Sequence, residues 1–560
     1  MENQVLQNIN SLQVGPSAII AALTREINLS QIINNQVTWD ESQWNNSPGL
    51  YVEAMVINIL TDRKPLYRVS EFFKDMDIEA LFGPTVQATD FNDDALGNTL
   101  DRLAESNLDH LYSNIVLQAH LKHCFRVDLA HGDTTSITVY GDYPNASSET
   151  LNIARGFNKD GHRDCKQIVA GAVVTPEGIP LMGTINDGNL NDVKWNQQII
   201  EQLPEMLKSL NSPETIYVAD SKLVTIDNLK HLAKKNIRFI SRIPETFGIV
   251  PSLKDWAFRQ DKWQEIETIS PDKNAAVYKL QSIKVKLGDR RYRFIIVHSS
   301  NLDQKKEKTL KRTAENEQKK LEKVCKEIGK QEFACEKDAT SYLRHMKKKQ
   351  DGQFYHLEAE VIVEEKKGVG RPKTKEKSPV KIVYRIKATV SLMDETAWQM
   401  ARDRASTFVL ITNLKNPREN TAETILRHYK EQNTVEMRFR FLKNPAILGQ
   451  VFLKKPSRVK ALGYIFLIAL LIYALMERRV RQNLAAEGKA LQLSYRSKVK
   501  QPTGMLILQE MTNFSIIHIT YELGKKERYL PSKTSKQQLE IIRLAGFDES
   551  IYLKDLSIVS

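Results

Sequence analysis

Cysteine is scarce in this chain. Four occur in 560 residues, and Cys124, Cys165, Cys325 and Cys335 form no Cys-x-x-Cys pair. That excludes a zinc ribbon or a dithiol redox motif and fits a reducing cytosol. Met-Glu-Asn-Gln at the start leads into no basic patch and apolar run, so no signal peptide is expected. Long apolar runs are missing with one exception, Ala461 to Leu475, bounded by Lys460 and by Glu477, Arg478 and Arg479. This run falls short of the ~20 residues that cross a bilayer. It is expected to be a buried core helix, with no membrane association. Acidic charge is also in deficit. The net charge is +13, a surplus that favours an anionic partner, most often nucleic acid.

The length allows two to four domains. Residues 1–125 read as an all-helical N-terminal domain, for DNA binding or dimerisation. Tyr51 to Leu60 and Pro65 to Met76 are helices, and Asn92-Asp93-Asp94 caps a periodic run through Leu96, Leu100 and Leu103. From 126 to 250 the pattern turns to strands. Asp133 to Tyr140 is rich in β-branched residues, and Gln167 to Val174 and Ile179 to Ile185 follow. Then come a helix from Asn191 to Leu207, a strand of near-continuous apolar character from Glu214 to Asp220, a helix from Asn228 to Lys235 and a strand from Ile237 to Ile243. Three strands and then alternating helices and strands give an α/β class, a mixed sheet flanked by helices.

Residues 251–407 break that pattern and read as a β-rich insertion. A hairpin turns at Gly288-Asp289, a charged helical stretch runs from Leu302 to Gln350, and long strands cover Phe354 to Glu364 and Val380 to Leu392. Between those strands lies a basic loop with Gly370-Arg371-Pro372, in which Arg371 is a candidate minor-groove contact. A solvated hairpin loop accounts for the same residues. The core resumes over 408–485, and 486–560 is a C-terminal region of mixed, basic sequence.

The stretch from Tyr429 to Lys443 is expected to form one helix. At 100° per residue, Tyr429, Gln432, Glu436, Arg440 and Lys443 fall within about 80°. Apolar Val435, Phe439 and Leu442 lie on one flank, Met437 and Phe441 on the other, and Glu431, Thr434 and Arg438 at the back. Such a stripe could hold a phosphate and a metal. A solvated salt-bridging face is the competing reading. Asp220 closes its strand at the carboxyl end, where open α/β sheets bind ligands, although a strand-end Asp also caps turns. Asp133, Asp220 and Glu436 sit on separate elements. Three carboxylates converge only around cations, and oxygen-only ligation suits two Mg²⁺ (or Mn²⁺) ions acting on a phosphodiester. Lys443 and Tyr429 would hold the non-reacting phosphates.

With these residues in place, the chain resembles bacterial insertion-sequence transposases of the DDE class. Within that class it is similar to the branch marked by Tyr, two residues, Arg, three residues, Glu, six residues, Lys. Tyr429, Gln432, Glu436 and Lys443 match the spacing. Gln432 stands where the signature has Arg, a loss for which Arg440 would compensate. Gly132 to Ser136, Gly156 to Gln167 and Ala219-Asp220-Ser221 also look like blocks of the family.

The resemblance implies an RNase H-like core interrupted by the β-rich insertion. Asp133, Asp220 and Glu436 would be catalytic and metal-binding, and Tyr429, Gln432, Arg440 and Lys443 would contact DNA. It implies cleavage of phosphodiesters at the ends of an insertion sequence and joining of the freed 3′-hydroxyls to target DNA. The partners are then double-stranded DNA (terminal inverted repeats and target) and a second copy in a homodimer. The location is a bacterial cytoplasm, at the nucleoid. A metal-dependent nuclease that cuts without joining, and an inactive DNA-binding derivative, are the alternatives.

Overall fold

The computed structural model describes residues 6–143, 151–159, 161–162, 164–266, 269, 276–301, 304–349, 352–367, 380–443, 453–494, 496–522 and 525–555. The chain divides into two compact units. One comprises Met1–Arg242, Thr412–Asn416 and Thr424–Ser560; the other comprises Ile243–Ile411 and Pro417–Glu423.

The first unit is built on a mixed sheet. Its strands run in the order Pro180–Asn186, Gln167–Val174, Leu129–Thr138, Ile216–Ala219 and Arg238–Arg242. The first three pair antiparallel and the last two join in parallel. Gln167–Val174 is buried at every position, as a strand covered on both faces must be. One face receives the helix Asp192–Ser209. Its Trp195 lies so close beneath Gly171 that a Cβ there would stand 2.1 Å from the indole nitrogen. The same nitrogen donates to Thr184 Oγ1 at 2.9 Å, which satisfies the buried N–H. The helices Asn433–Lys443 and Pro456–Ala486 pack against each other and against the sheet.

Pro456–Ala486 is twice as long as its apolar run suggested. It spans 31 residues and opens on a proline, where no backbone N–H is missed. Length and composition would let it cross a bilayer, but its apolar stretch is buried among the elements of this unit. N-terminal helices surround it. Asp93–Glu105 is tied to its first turn by Asp101, which accepts from Arg458 at 2.8 and 2.7 Å and from Lys455 at 2.9 Å.

The all-helical reading of the N-terminal region needs one correction. Leu6–Gln13 is a strand, paired antiparallel with Ser515–Tyr521, which in turn pairs with Lys526–Tyr529. Residues more than 500 apart thus build one small sheet, a pairing that no local pattern announces.

In the second unit the strands Thr407–Thr412, Arg290–Ser299, Tyr278–Leu287 and Gln264–Ile266 lie in that order. The expected hairpin turns at Gly288, whose φ of +61° suits glycine. The charged stretch from Leu302 to Gln350 proves to be two helices, Gln304–Gly329 and Glu336–Lys349. They bury Val324, Ile328, Ala339 and Leu343 against Leu357 and Ile386 of a long hairpin, Leu357–Lys367 with Val380–Val390. Arg371, in the loop of that hairpin, lies outside the described residues.

Candidate active site

The parallel pairing of Leu129–Thr138 with Ile216–Ala219 ends at Gly132 opposite Ala219. The next residue on each chain is a carboxylate, Asp133 beside Asp220. The sheet alone therefore brings two of the three acids together, Asp220 at the carboxyl end of Ile216–Ala219 and Asp133 in the middle of Leu129–Thr138, where the parallel pairing stops. Asp133 accepts from its neighbour's amide, Thr134 N, at 2.7 Å. Asp220 turns into a short 3₁₀ segment and accepts from Lys222 N at 2.9 Å.

Two acids this close, and mostly buried, resist ionising together. Burial raises the Asp133 pKa, against the pull of Lys159. Burial, and then the charge of Asp133, push Asp220 up to about 6. The pair is short of positive charge, and the structure supplies some. Lys159 Nζ donates to Asp133 Oδ1 at 3.2 Å, to Thr134 O at 2.7 Å and to Thr134 Oγ1 at 3.0 Å. Asp192 Oδ2 lies 3.6 Å from the same nitrogen, and Asp192 also accepts from Thr134 Oγ1. Burial works against the Lys159 ammonium, but Asp133 and Asp192 outweigh it and hold its pKa above the ordinary value.

Lys159 and Asp192 did not emerge from the sequence as site residues. Lys159 lies inside the Gly156–Gln167 block, a signal that drew attention to the segment without giving its lysine a role. Asp192 follows the N-cap Asn191 in the first turn of its helix, where an acid is ordinary.

Glu436 arrives on a helix shorter than expected. Tyr429 to Lys443 is not one helix. Ala422–Lys430 ends, the chain turns at Glu431 and Gln432, and Asn433–Lys443 begins. Through the turn the amides reach back three residues, Gln432 to Tyr429, Thr434 to Glu431 and Val435 to Gln432. These are 3₁₀-type bonds that break the 3.6-residue phase. The five residues of the stripe therefore share no single helical face. Val435, Phe439 and Phe441 are buried as expected, while Met437 is 49% exposed.

Arg438, placed at the back by the helical phase, is instead the anchor of this helix. Its side chain is 6% exposed and pairs with Glu477 Oε1 of the long helix at 2.7 Å. It also donates to Gly178 O and Glu177 O, each at 2.9 Å. Gly178 has φ +81°, and a Cβ there would lie 2.2 Å from Arg438 Nε, so only glycine fits. Arg438 thus fixes the helix against the turn between two sheet strands and leaves Glu436 and Arg440 on the exposed side.

Tyr429 links this helix region to the aspartates. Burial drives its phenol up to about 12. Arg242 opposes that shift, and Asp220 and Glu436 add to it. One phenol therefore lies within electrostatic reach of both a strand-end acid and the helix acid. Gln432 is half-buried at the turn, and the side chain of Lys443 lies outside the described residues. Among the described residues, no three His, Cys, Asp or Glu side chains stand close enough to share one ion. The pair Asp133–Asp220 suits a hard cation in chemistry, being two oxygen ligands whose negative charge Lys159 offsets only in part. His131, two residues before Asp133, is wholly buried. Its ring nitrogens have no hydrogen-bond partner, and its pKa is pushed down to about 4, first by burial and then by His428.

Comparison with known proteins gives this arrangement a family. The transposase DDE domain matches residues 133–472, from the first strand aspartate into the long helix. This is more than half of the chain, which therefore belongs to the transposase DDE domain family. The protein is an enzyme, a DDE transposase. A domain of unknown function, DUF4277, matches residues 9–117, ahead of the catalytic domain. No curated protein matches the chain. A cryo-EM structure of the piggyBac transposase synaptic complex with hairpin DNA is similar at a TM-score of 0.38 and 8% identity, over 90% of this chain and 82% of that one.

Proposed function

We propose that this transposase cleaves phosphodiesters at the ends of an insertion sequence and joins the resulting 3′-hydroxyl ends to target DNA. The observation that carries this reading is the adjacency of Asp133 and Asp220 where parallel pairing ends. The strand order, antiparallel across three strands and parallel across two, supports an RNase H-like core, with the second unit as its insertion. Asp133, Asp220 and Glu436 would hold two divalent cations, Mg²⁺ or Mn²⁺, which would activate the attacking oxygen and stabilise the leaving oxygen of an in-line displacement.

The chain's own residues do the rest. Arg438 fixes the helix that carries Glu436. Tyr429, Gln432, Arg440, Lys443 and Arg371 contact DNA, and the +13 surplus neutralises its phosphates. The spacing from Tyr429 to Lys443 supports membership of the branch with the Tyr-Arg-Glu-Lys signature, with Gln432 in the arginine position. A homodimer pairs the two element ends, in a bacterial cytoplasm. The test is incubation of a labelled element end with supercoiled plasmid in Mg²⁺. Joined product is the expected result. Cutting without joining would make the protein a nuclease of the same core.

A further inference from the structure

Lys159 has no part in the scheme above, but its position is the most specific in the site. An ammonium has three protons to donate. Here the three reach Asp133 Oδ1, Thr134 O and Thr134 Oγ1 at 3.2, 2.7 and 3.0 Å. A second carboxylate, Asp192, stands 3.6 Å away. The side chains of Lys159, Asp133 and Asp192 are only 29%, 21% and 24% exposed. This is a cation held on oxygen ligands, and it takes an oxygen of the acid pair on which the proposed reaction depends.

We infer that Lys159 is the resident counter-ion of the acid site and competes with the divalent cation for the Asp133 carboxylate, so that metal binding requires release of the lysine. The inference rests on the reading of Asp133 as a metal ligand. It follows from charge and position. Asp133, Asp192 and Asp220 would repel one another in the metal-free protein, and Lys159 relieves that repulsion. A metal on Asp133 would face a positive charge a few Å away unless the ammonium moves. The site would then be kept closed to weakly bound cations and open only where the incoming ion, or an ion arriving with DNA phosphate, outcompetes the lysine.

The experiment is a Mn²⁺ titration followed by electron paramagnetic resonance on the full chain without DNA, for wild type, Lys159→Met, Lys159→Arg and Asp133→Asn. Removing a unit charge this close to the ion is expected to tighten Mn²⁺ binding about tenfold or more in Lys159→Met. Lys159→Arg, which keeps the charge, should stay near wild type. Thermal melting supplies the second readout. In EDTA Lys159→Met should melt lower than wild type, and Mn²⁺ should raise its melting point by more than it raises that of wild type.

Equal or weaker Mn²⁺ binding by Lys159→Met overturns the inference. So does a variant that fails to fold with and without Mn²⁺, since the lysine is then a structural tie. Asp133→Asn separates this failure from a deeper one. If it binds Mn²⁺ like wild type, Asp133 is no ligand and the metal-site reading falls too. If it loses Mn²⁺ while Lys159→Met gains nothing, only the counter-ion role falls.

Discussion

Replacing Asp220 by asparagine should stabilise the metal-free protein, with the gain growing as pH rises from ~4 and complete above pH ~6. Burial and the neighbouring Asp133 hold the Asp220 carboxyl near 6, against 3.8 unperturbed. The folded state thus binds a proton more tightly than the unfolded state does. By linkage, a raised carboxyl pKa lowers stability as pH rises between the two values, and the loss is complete above the folded one. About two units correspond to ~3 kcal/mol, and partial solvent access reduces this to roughly 2 kcal/mol. Asparagine keeps the shape and cannot ionise, so Asp220→Asn should recover that energy at pH 8 and gain nothing at pH 4, where wild type is already protonated. Thermal unfolding in EDTA at the two pH values is the assay, with a rise of a few degrees expected at pH 8 alone. An unchanged or lower midpoint at pH 8 would mean that Asp220 is not under charge stress, and the crowding of Asp133 and Asp220 would be wrong.

Glu477→Ala should be among the most damaging single changes away from the acids. It leaves Arg438 buried without its 2.7 Å partner and removes the acceptor of Gly504 N, a loss of about 3–5 kcal/mol that a chemical-denaturation curve would show. Because Arg438 shares its helix with Glu436, cleavage should fall with it even where the protein stays folded. Binding to an element-end fragment should weaken steeply as salt rises, given the +13 surplus. A flat salt dependence in a gel-shift series would separate the basic character from DNA.

The sheet was legible because its strands are fixed by local composition. Gln167 to Val174 is apolar after its first residue and lies between two neighbours, and Asp220 could be placed at a strand end from the run Ile-Tyr-Val-Ala before it. The helix of Glu436 was half legible. Val435, Phe439 and Phe441 are buried as the period requires and Met437 is not, and no Gly or Pro marks the break at Glu431 and Gln432, which is made by backbone bonds reaching back three residues. Arg438 was misplaced because helical phase treats a charge as solvated, whereas its partner Glu477 lies 39 residues on, in a helix that otherwise reads as apolar. Lys159 was invisible for a related reason. Its ligands come from a distant strand and from the start of another helix, and only the fold brings them together.

If Glu436 works with Asp133 and Asp220 on DNA, Glu436→Gln should expose it. The change keeps size and hydrogen bonding and removes one charge on an exposed helix face. A cleavage time course in Mg²⁺ and a gel shift are run on the same element-end fragment. Cleavage should be abolished while binding is retained or slightly strengthened, because one negative charge near the phosphates is gone. Cleavage by Glu436→Gln at the wild-type rate would contradict it and leave the helix a structural element.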